Sequence, residues 1–287
     1  IGAMAAQIAC ILVLEWQIEG IAGFALAAAL TVPMAALFGF GIGKILNKMK
    51  GQEMIGGMIL GYFANGLYQL LCLFIFDNII PINNPNLTIK GSSGIANTMD
   101  LVKGGLANSL ENAWKLTAAQ AVLVFAVVIA IALILGHVRS HRKNTKSLLI
   151  KLGALAAVAI VMQLPFMVEL FSMVKIPMVT FGIVALMCVF NLAIMKTRLG
   201  QQFRAVGQNR TVANAAGINV DKVRIIAITI STVLAGWGQL IFVQNLGAFQ
   251  TYGAHEQVGL YAGAAILVGG ASVTRATNTQ ALLGTIL

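Results

Sequence analysis

Apolar runs of membrane-spanning length alternate with short polar breaks along most of the chain. The runs lie near 1–14, 20–43, 54–76, 116–136, 148–172, 177–195, 225–246, 257–271 and 277–287. A spanning helix needs about 20 mostly apolar residues to cross roughly 30 Å of hydrocarbon. Alternating segments of about 10 residues, the mark of a membrane barrel, do not occur. The pattern therefore predicts an all-α polytopic membrane protein with about nine to ten transmembrane segments. The run at 257–271 is short for a full crossing and carries Gly259, Gly263, Gly269 and Gly270. That composition suits a broken or partial helix, tolerated where protein or a water-filled cavity covers the backbone. The sequence starts at Ile1 without a methionine and stops inside an apolar run at Leu287, which reads as a chain trimmed at both ends.

The largest interruption is a polar island from Lys196 to Arg224. Its cations are Lys196, Arg198, Arg204, Arg210, Lys222 and Arg224, against the single acid Asp221. Such a stretch cannot sit in hydrocarbon. Within it, Asn209 to Gly217 is expected to form a short helix, because Val212, Ala215 and Ala216 share one face at helical spacing and Gly217 is a natural stop. Small side chains on that face suit insertion into a partner's groove.

Composition agrees with the run pattern. The chain is 59% hydrophobic and 10% charged, with a mean hydropathy of +0.88, whereas a soluble domain carries about 25% charged residues. The formal charge of +10 follows the ordinary placement of cations beside spans, so it implies a lipid bilayer and not nucleic acid as the partner. Alternating loops put fifteen of the 19 lysines and arginines on one side. They comprise Lys44, Lys48, Lys50, Arg139, Arg142, Lys143, Lys146, Lys151, the island's six and Arg275. Lys90, Lys103, Lys115 and Lys175 face the other way. The positive-inside rule makes the island cytoplasmic. The expected organisation is a single transmembrane domain over 1–287, with an extracytoplasmic segment at 77–115 and a cytoplasmic region at 196–224. Residues near 99–113 are expected to form a short interfacial helix.

Little catalytic chemistry is visible. Cys10, Cys72 and Cys188 all lie in apolar runs and read as buried inert thiols, with no metal-ligand spacing. His137, His141 and His255 read as solvated loop residues. Asn86-Leu87-Thr88 matches a glycosylation acceptor by chance. Gly39, Gly41 and Gly43 imitate half of a nucleotide loop, but their span context favours close helix packing, as does the spacing of Gly57 and Gly61. No Walker A lysine motif occurs. Intramembrane acids, the mark of ion relays, are scarce: Glu169 sits in the outer part of a span and Glu53 at an inner edge. Neutral polar residues are present instead. Asn65, Gln69, Gln163, Asn191 and Gln239 are candidates to line a solute path, and Gln244 and Asn245 are of the same type; interhelical bonds are the competing role.

The run GQQFRAVGQNRTVANAAGINVDKVR resembles the coupling-helix region of ABC importer permeases of the ribose, simple-sugar and branched-chain amino acid class. Gly200, Arg204, Ala205, Gly207, Asn209, Ala213, Gly217, Ile218 and Val220 match that pattern. Ser231, Ala235, Gly236 and Gly238 resemble a second family motif. Ala264, Gly269, Gly270 and Ser272 resemble a third. Two features depart from it: residues 274–278 replace the usual glycine pair, and the segment at 77–115 is longer than ribose-type permeases suggest. With QEMIGGMILGYFANGL at 52–67, that segment resembles the sugar and nucleoside branch. The resemblance implies a permease subunit in the bacterial cytoplasmic (inner) membrane. Its implied partners are ABC ATPase subunits, a second permease subunit, identical or related, and an extracytoplasmic solute-binding protein. No cofactor is implied for this chain, because ATP and Mg belong to the ATPase. Arg204, Gly207, Asn209, Val212, Ala213, Ala215, Ala216 and Gly217 would meet that ATPase, with Gly207 and Gly217 fixing the angles at the ends of the helix. The implied cargo is a simple sugar or nucleoside. A branched-chain amino acid permease is the nearer alternative, and an ion-coupled carrier the more distant one.

Overall fold

The computed structural model describes all residues except 50, 77–78, 83, 85–86, 89–94, 140–144 and 273–275. Lys50, Asn86, Lys90, His141, Arg142, Lys143 and Arg275, named above, lie outside the described residues. In chain order the helices are α1 Gly2–Glu15, α2 Gly20–Lys48, α3 Glu53–Leu70, α4 Ser109–Ala113, α5 Ala118–Arg139, α6 Thr145–Met162, α7 Pro165–Leu170, α8 Met178–Lys196, α9 Arg198–Gln208, α10 Arg210–Ala215, α11 Val220–Leu246, α12 Ala254–Val268 and α13 Asn278–Ile286. A π-helical turn, Leu71–Ile75, continues α3. Four short strands accompany them: β1 Thr98–Asp100, β2 Lys115–Thr117, β3 Lys175–Pro177 and β4 Ala248–Gln250.

Every predicted apolar run coincides with helix. Four described stretches are long and apolar enough to cross a bilayer, namely Gly20–Lys48, Ile55–Phe74, Met178–Lys196 and Val220–Leu246. Shorter apolar helices occupy Gly2–Glu15, Ala118–Ile131 and Leu148–Met162. Three expectations change. The run at 148–172 is split, because Pro165 has no N–H to continue α6 and instead starts α7. The segment near 99–113 holds β1, a turn and only the five-residue α4, because Thr98–Asp100 pairs antiparallel with Gln250–Ala248. β2 and β3 pair likewise, so the helical fold carries two small antiparallel additions.

The chain divides into two compact units, Ile1–Ser109 with Leu186–Leu287, and Leu110–Ala185. In the second unit, the Gln163 Nε2 donates to the Ala119 carbonyl at 3.0 Å, and the Phe125 and Phe181 rings meet edge to face at 5.2 Å.

In the first unit, α1 is the centre. A helix apolar on all sides belongs inside a core, and nearly every α1 residue from Gly2 to Leu14 is buried. It packs with Ala27, Tyr68, Cys72, Leu240, Val243, Phe249 and Ala254. α2 lies along α11, where a Cβ on Gly39 would come 2.9 Å from the Thr229 Cα and one on Gly43 3.1 Å from the Ile225 Cα. The GFGIG run is thus a helix contact. Gly57 and Gly61 on α3 differ from expectation: among the described residues a Cβ there meets nothing within 4 Å, so their face is unpacked against them. The third motif acquires a reason too. Gly269 and Gly284 press α12 against α13, Gly270 has a φ of +78°, and Thr277 with Gln280 supplies a capping box that starts α13.

Candidate functional site

The polar island folds as two helices joined at a corner. Thr197 caps α9, accepting from the Gly200 N–H. Gly200 permits the tight turn out of α8, because any Cβ there would strike the backbone of Ile194 and Met195. α9 was not anticipated. It is amphipathic: Val206 is buried, with Phe203 and Ala205 half-buried, against Ala213, Val223, Ile218 and Val220.

The corner is Asn209, with extended backbone (φ −157°, ψ 113°), and its side chain accepts from the N–H groups of Thr211 (2.9 Å) and Val212 (3.1 Å). This satisfies donors that a six-residue helix otherwise leaves bare. Gly217 ends the turn after α10 with a φ of +79°, a conformation open mainly to glycine. Gly207 lies within α9 and is exposed, so the angle before α10 comes from Asn209 instead.

The coupling candidates divide by face. Val212 is 64% exposed, and Arg204, Ala215, Ala216 and Gly217 are exposed as well, while Ala213 is 3% exposed and packs inward. Ala213 therefore packs the helix from behind. An open groove of about 680 Å³ runs between α10 and the start of α11, lined by residues including Arg210, Asn214 and Asn219.

A contact that sequence reasoning missed fixes this platform to the helix bundle. Glu53, the first residue of α3, accepts from Arg210 at 2.6 Å and from Arg224 at 3.1 Å, both on Oε1. Arg224 is mostly buried and Arg210 half exposed. The hydrogen bond from Arg210, helped by local backbone N–H groups, holds the Glu53 carboxyl down at about 2. Beside it, the Asn47 Nδ2 donates to the Asp221 carbonyl at 2.8 Å, tying the end of α2 to the start of α11. The only sequence signal for Glu53 was its place at the border of an apolar run.

The candidate path residues separate in the same way. Asn191 donates to Asn278 at 2.6 Å, and Asn278 in turn to the Cys188 carbonyl; these bonds join α8 to α13. Gln163 belongs to the second unit. Gln69 is half-buried. Gln244 donates to Asn245 at 2.7 Å. Asn65 donates to the Glu256 carboxylate at 2.9 Å, while its own carbonyl oxygen is buried without a partner among the described residues. Gln239 is 1% exposed, and neither end of its amide meets a partner among the described residues.

Two residues join this set unforeseen. Gln7 on α1 is likewise 1% exposed with an unpartnered amide. Gly2 lies against Thr232 and Gly236, and the far ends of α1 and α11 both meet the 100–106 turn, through Leu14 with Gly104 and Gly247 with Leu101. The two helices therefore run parallel, with Gln7 and Gln239 at similar heights. His255 was expected in solvent. It is instead buried, with its ring 5.2 Å from Tyr68 edge to face and both nitrogens without a partner among the described residues. Cys10 and Cys72 are buried as expected, but Cys188 is only partly so.

Long apolar helices that carry a capped polar platform make up a multi-pass helical membrane protein. The whole chain, residues 1–287, matches the family described as the branched-chain amino acid transport system / permease component, and it belongs to that family. Two curated relatives agree. One is the "Probable ABC transporter permease protein YphD" of Escherichia coli (strain K12), 32% identical over 39% of this chain and 33% of that protein. The other is the "Autoinducer 2 import system permease protein LsrC" of Klebsiella pneumoniae, 30% identical over 37% of this chain and 30% of that protein. The chain thus matches about a third of the length of each of these relatives. No solved structure is a significant match.

Proposed function

We propose that this chain is the membrane-spanning permease subunit of an ATP-driven importer, carrying a simple sugar or nucleoside handed over by a binding protein. α10 is the docking helix for a separate ATPase subunit, and the basic end of the molecule faces the cytoplasm of a bacterial cell. A second permease subunit completes the path. The observation that carries this reading is the exposed face of Val212, Ala215 and Ala216 on a helix pinned from behind by Ala213. Small exposed side chains on a rigid mount suit insertion into a groove. Closure of the ATPase dimer shifts the permease between states only through contacts that differ between them, and a docked rigid helix supplies such contacts.

Neutral cargo is supported by the neutral character of Gln7, Asn65, Gln69 and Gln239. Buried amides without partners carry a penalty that water or a hydroxylated solute removes. The import role in LsrC's name supports uptake as the direction of transport. Branched-chain amino acid uptake, favoured by the family description, is the second reading. A zwitterion calls for charged or helix-end partners.

The test is the double substitution A215W/A216W in proteoliposomes containing the permease, its ATPase and its binding protein. Uptake should fall at least about tenfold while the permease remains folded. Wild-type uptake would overturn the docking reading. A ligand screen on the cognate binding protein separates sugar or nucleoside from amino acid.

A further inference from the structure

We propose that Glu53 is a positioning residue that makes α3 the transmission element of the importer, passing motion of α10 to the contact between α3 and α12. The proposal rests on the docking reading above and adds the route inside the chain.

Two neighbouring helices are held very differently. α2 is fitted against α11 through Gly39 and Gly43, where backbones approach too closely for a side chain. Trp237 adds a bond from its indole N–H to the Ala28 carbonyl at 3.2 Å. Such a pair moves as one body. α3 has no comparable seam. Ile55, Met58, Ile59, Tyr62 and Phe63 are exposed, and a Cβ on Gly57, Gly61 or Gly66 would meet nothing within 4 Å.

What holds α3 sits toward its two ends, polar at the first and both polar and apolar at the second, where Tyr68 and the following Cys72 pack in the α1 core. At the first, one carboxylate oxygen of Glu53 takes hydrogen bonds from Arg210 on α10 and Arg224 on α11. Toward the second, Asn65 donates to Glu256 at 2.9 Å, the Tyr68 hydroxyl donates to the Thr251 carbonyl at 2.7 Å, and Tyr68 meets the His255 ring. The distance along the helix from Glu53 to Tyr68 is about 22 Å. A helix is stiff along its axis, so displacement at Glu53 arrives at Asn65 and Tyr68. The π-helical turn at Leu71–Ile75 follows directly, and such turns are frequent at functional sites and at kinks. α3 is therefore a strut fastened at both ends and free along one flank.

The experiment uses the complete reconstituted importer and the variant R210Q. This removes the link from α10 but leaves the Glu53–Arg224 pair that anchors the start of α3. Solute moved per ATP hydrolysed should fall about tenfold, within the range of coupling between sites, while the ATPase still co-purifies. Hydrogen exchange in residues 66–72 should change on ATP binding in the wild type and become insensitive to nucleotide in R210Q. E53Q should reproduce both effects, and E53D, which keeps the charge, should restore most of the transport. Unchanged transport per ATP in R210Q, or exchange in 66–72 that still responds to nucleotide, would overturn the proposal. If A215W/A216W uncouples transport while R210Q is normal, only the α3 route falls. If both behave as wild type, the docking reading falls with it.

Discussion

A Cβ added to Gly236 would lie 2.6 Å from the Thr31 Cγ2 and 3.0 Å from the Gly2 carbonyl oxygen, whereas one added to Gly238 would meet nothing within 4 Å. Alanine at Gly236 should therefore cost about 1–3 kcal/mol through overpacking. Alanine at Gly238 should be neutral or stabilise the helix by up to about 1 kcal/mol. Thermal unfolding of the solubilised protein measures both, and equal shifts would contradict the packing described here. In the sequence the two glycines belong to one motif and look equivalent. They part because residues two apart on a helix point away from each other, and only one direction meets α1 and α2. His255 is the converse case. Its neighbours Ala254 and Glu256 gave no sign of burial, which comes from Tyr68 far away in the chain.

At the scale of elements, α10 was legible because its signals are local: a capping Asn209, a small-residue face and Gly217 at a positive φ. α9 was not, because Gly200 and Gly207 imitate loop punctuation and its apolar face shows only once Val223 and Ala213 cover it. The ion pair that mounts α10 was beyond reach, since Glu53 and Arg210 stand 157 positions apart. It carries a prediction for pH. The Glu53 carboxyl ionises at about 2 when folded, below its ordinary 4.5. Its contribution is therefore complete above about 4.5 and is lost as the pH falls from there toward 2. Between pH 8 and 5, protection of the α10 amides, corrected for intrinsic exchange, should stay constant. A decline inside that window would assign the mount to some other group.

For the whole molecule, the run pattern delivered the helices and the membrane class but not the division into two units, which depends on contacts between distant segments. Sidedness is open to direct measurement. With Cys188 replaced by alanine, R204C should react with an impermeant thiol reagent only from the ATPase face, and V102C only from the opposite face. Both positions are exposed; labelling of R204C from the opposite face would invert the orientation.

The burial of α1 also has a consequence in time. Helices enter the bilayer in chain order, and α1 comes ahead of the others described here, yet much of its enclosure comes from α11 and α12, made far later. Until those arrive, the Gln7 amide stands in lipid or beside a temporary neighbour. Ribosomal synthesis therefore leaves the first unit open until α11 and α12 have both been made.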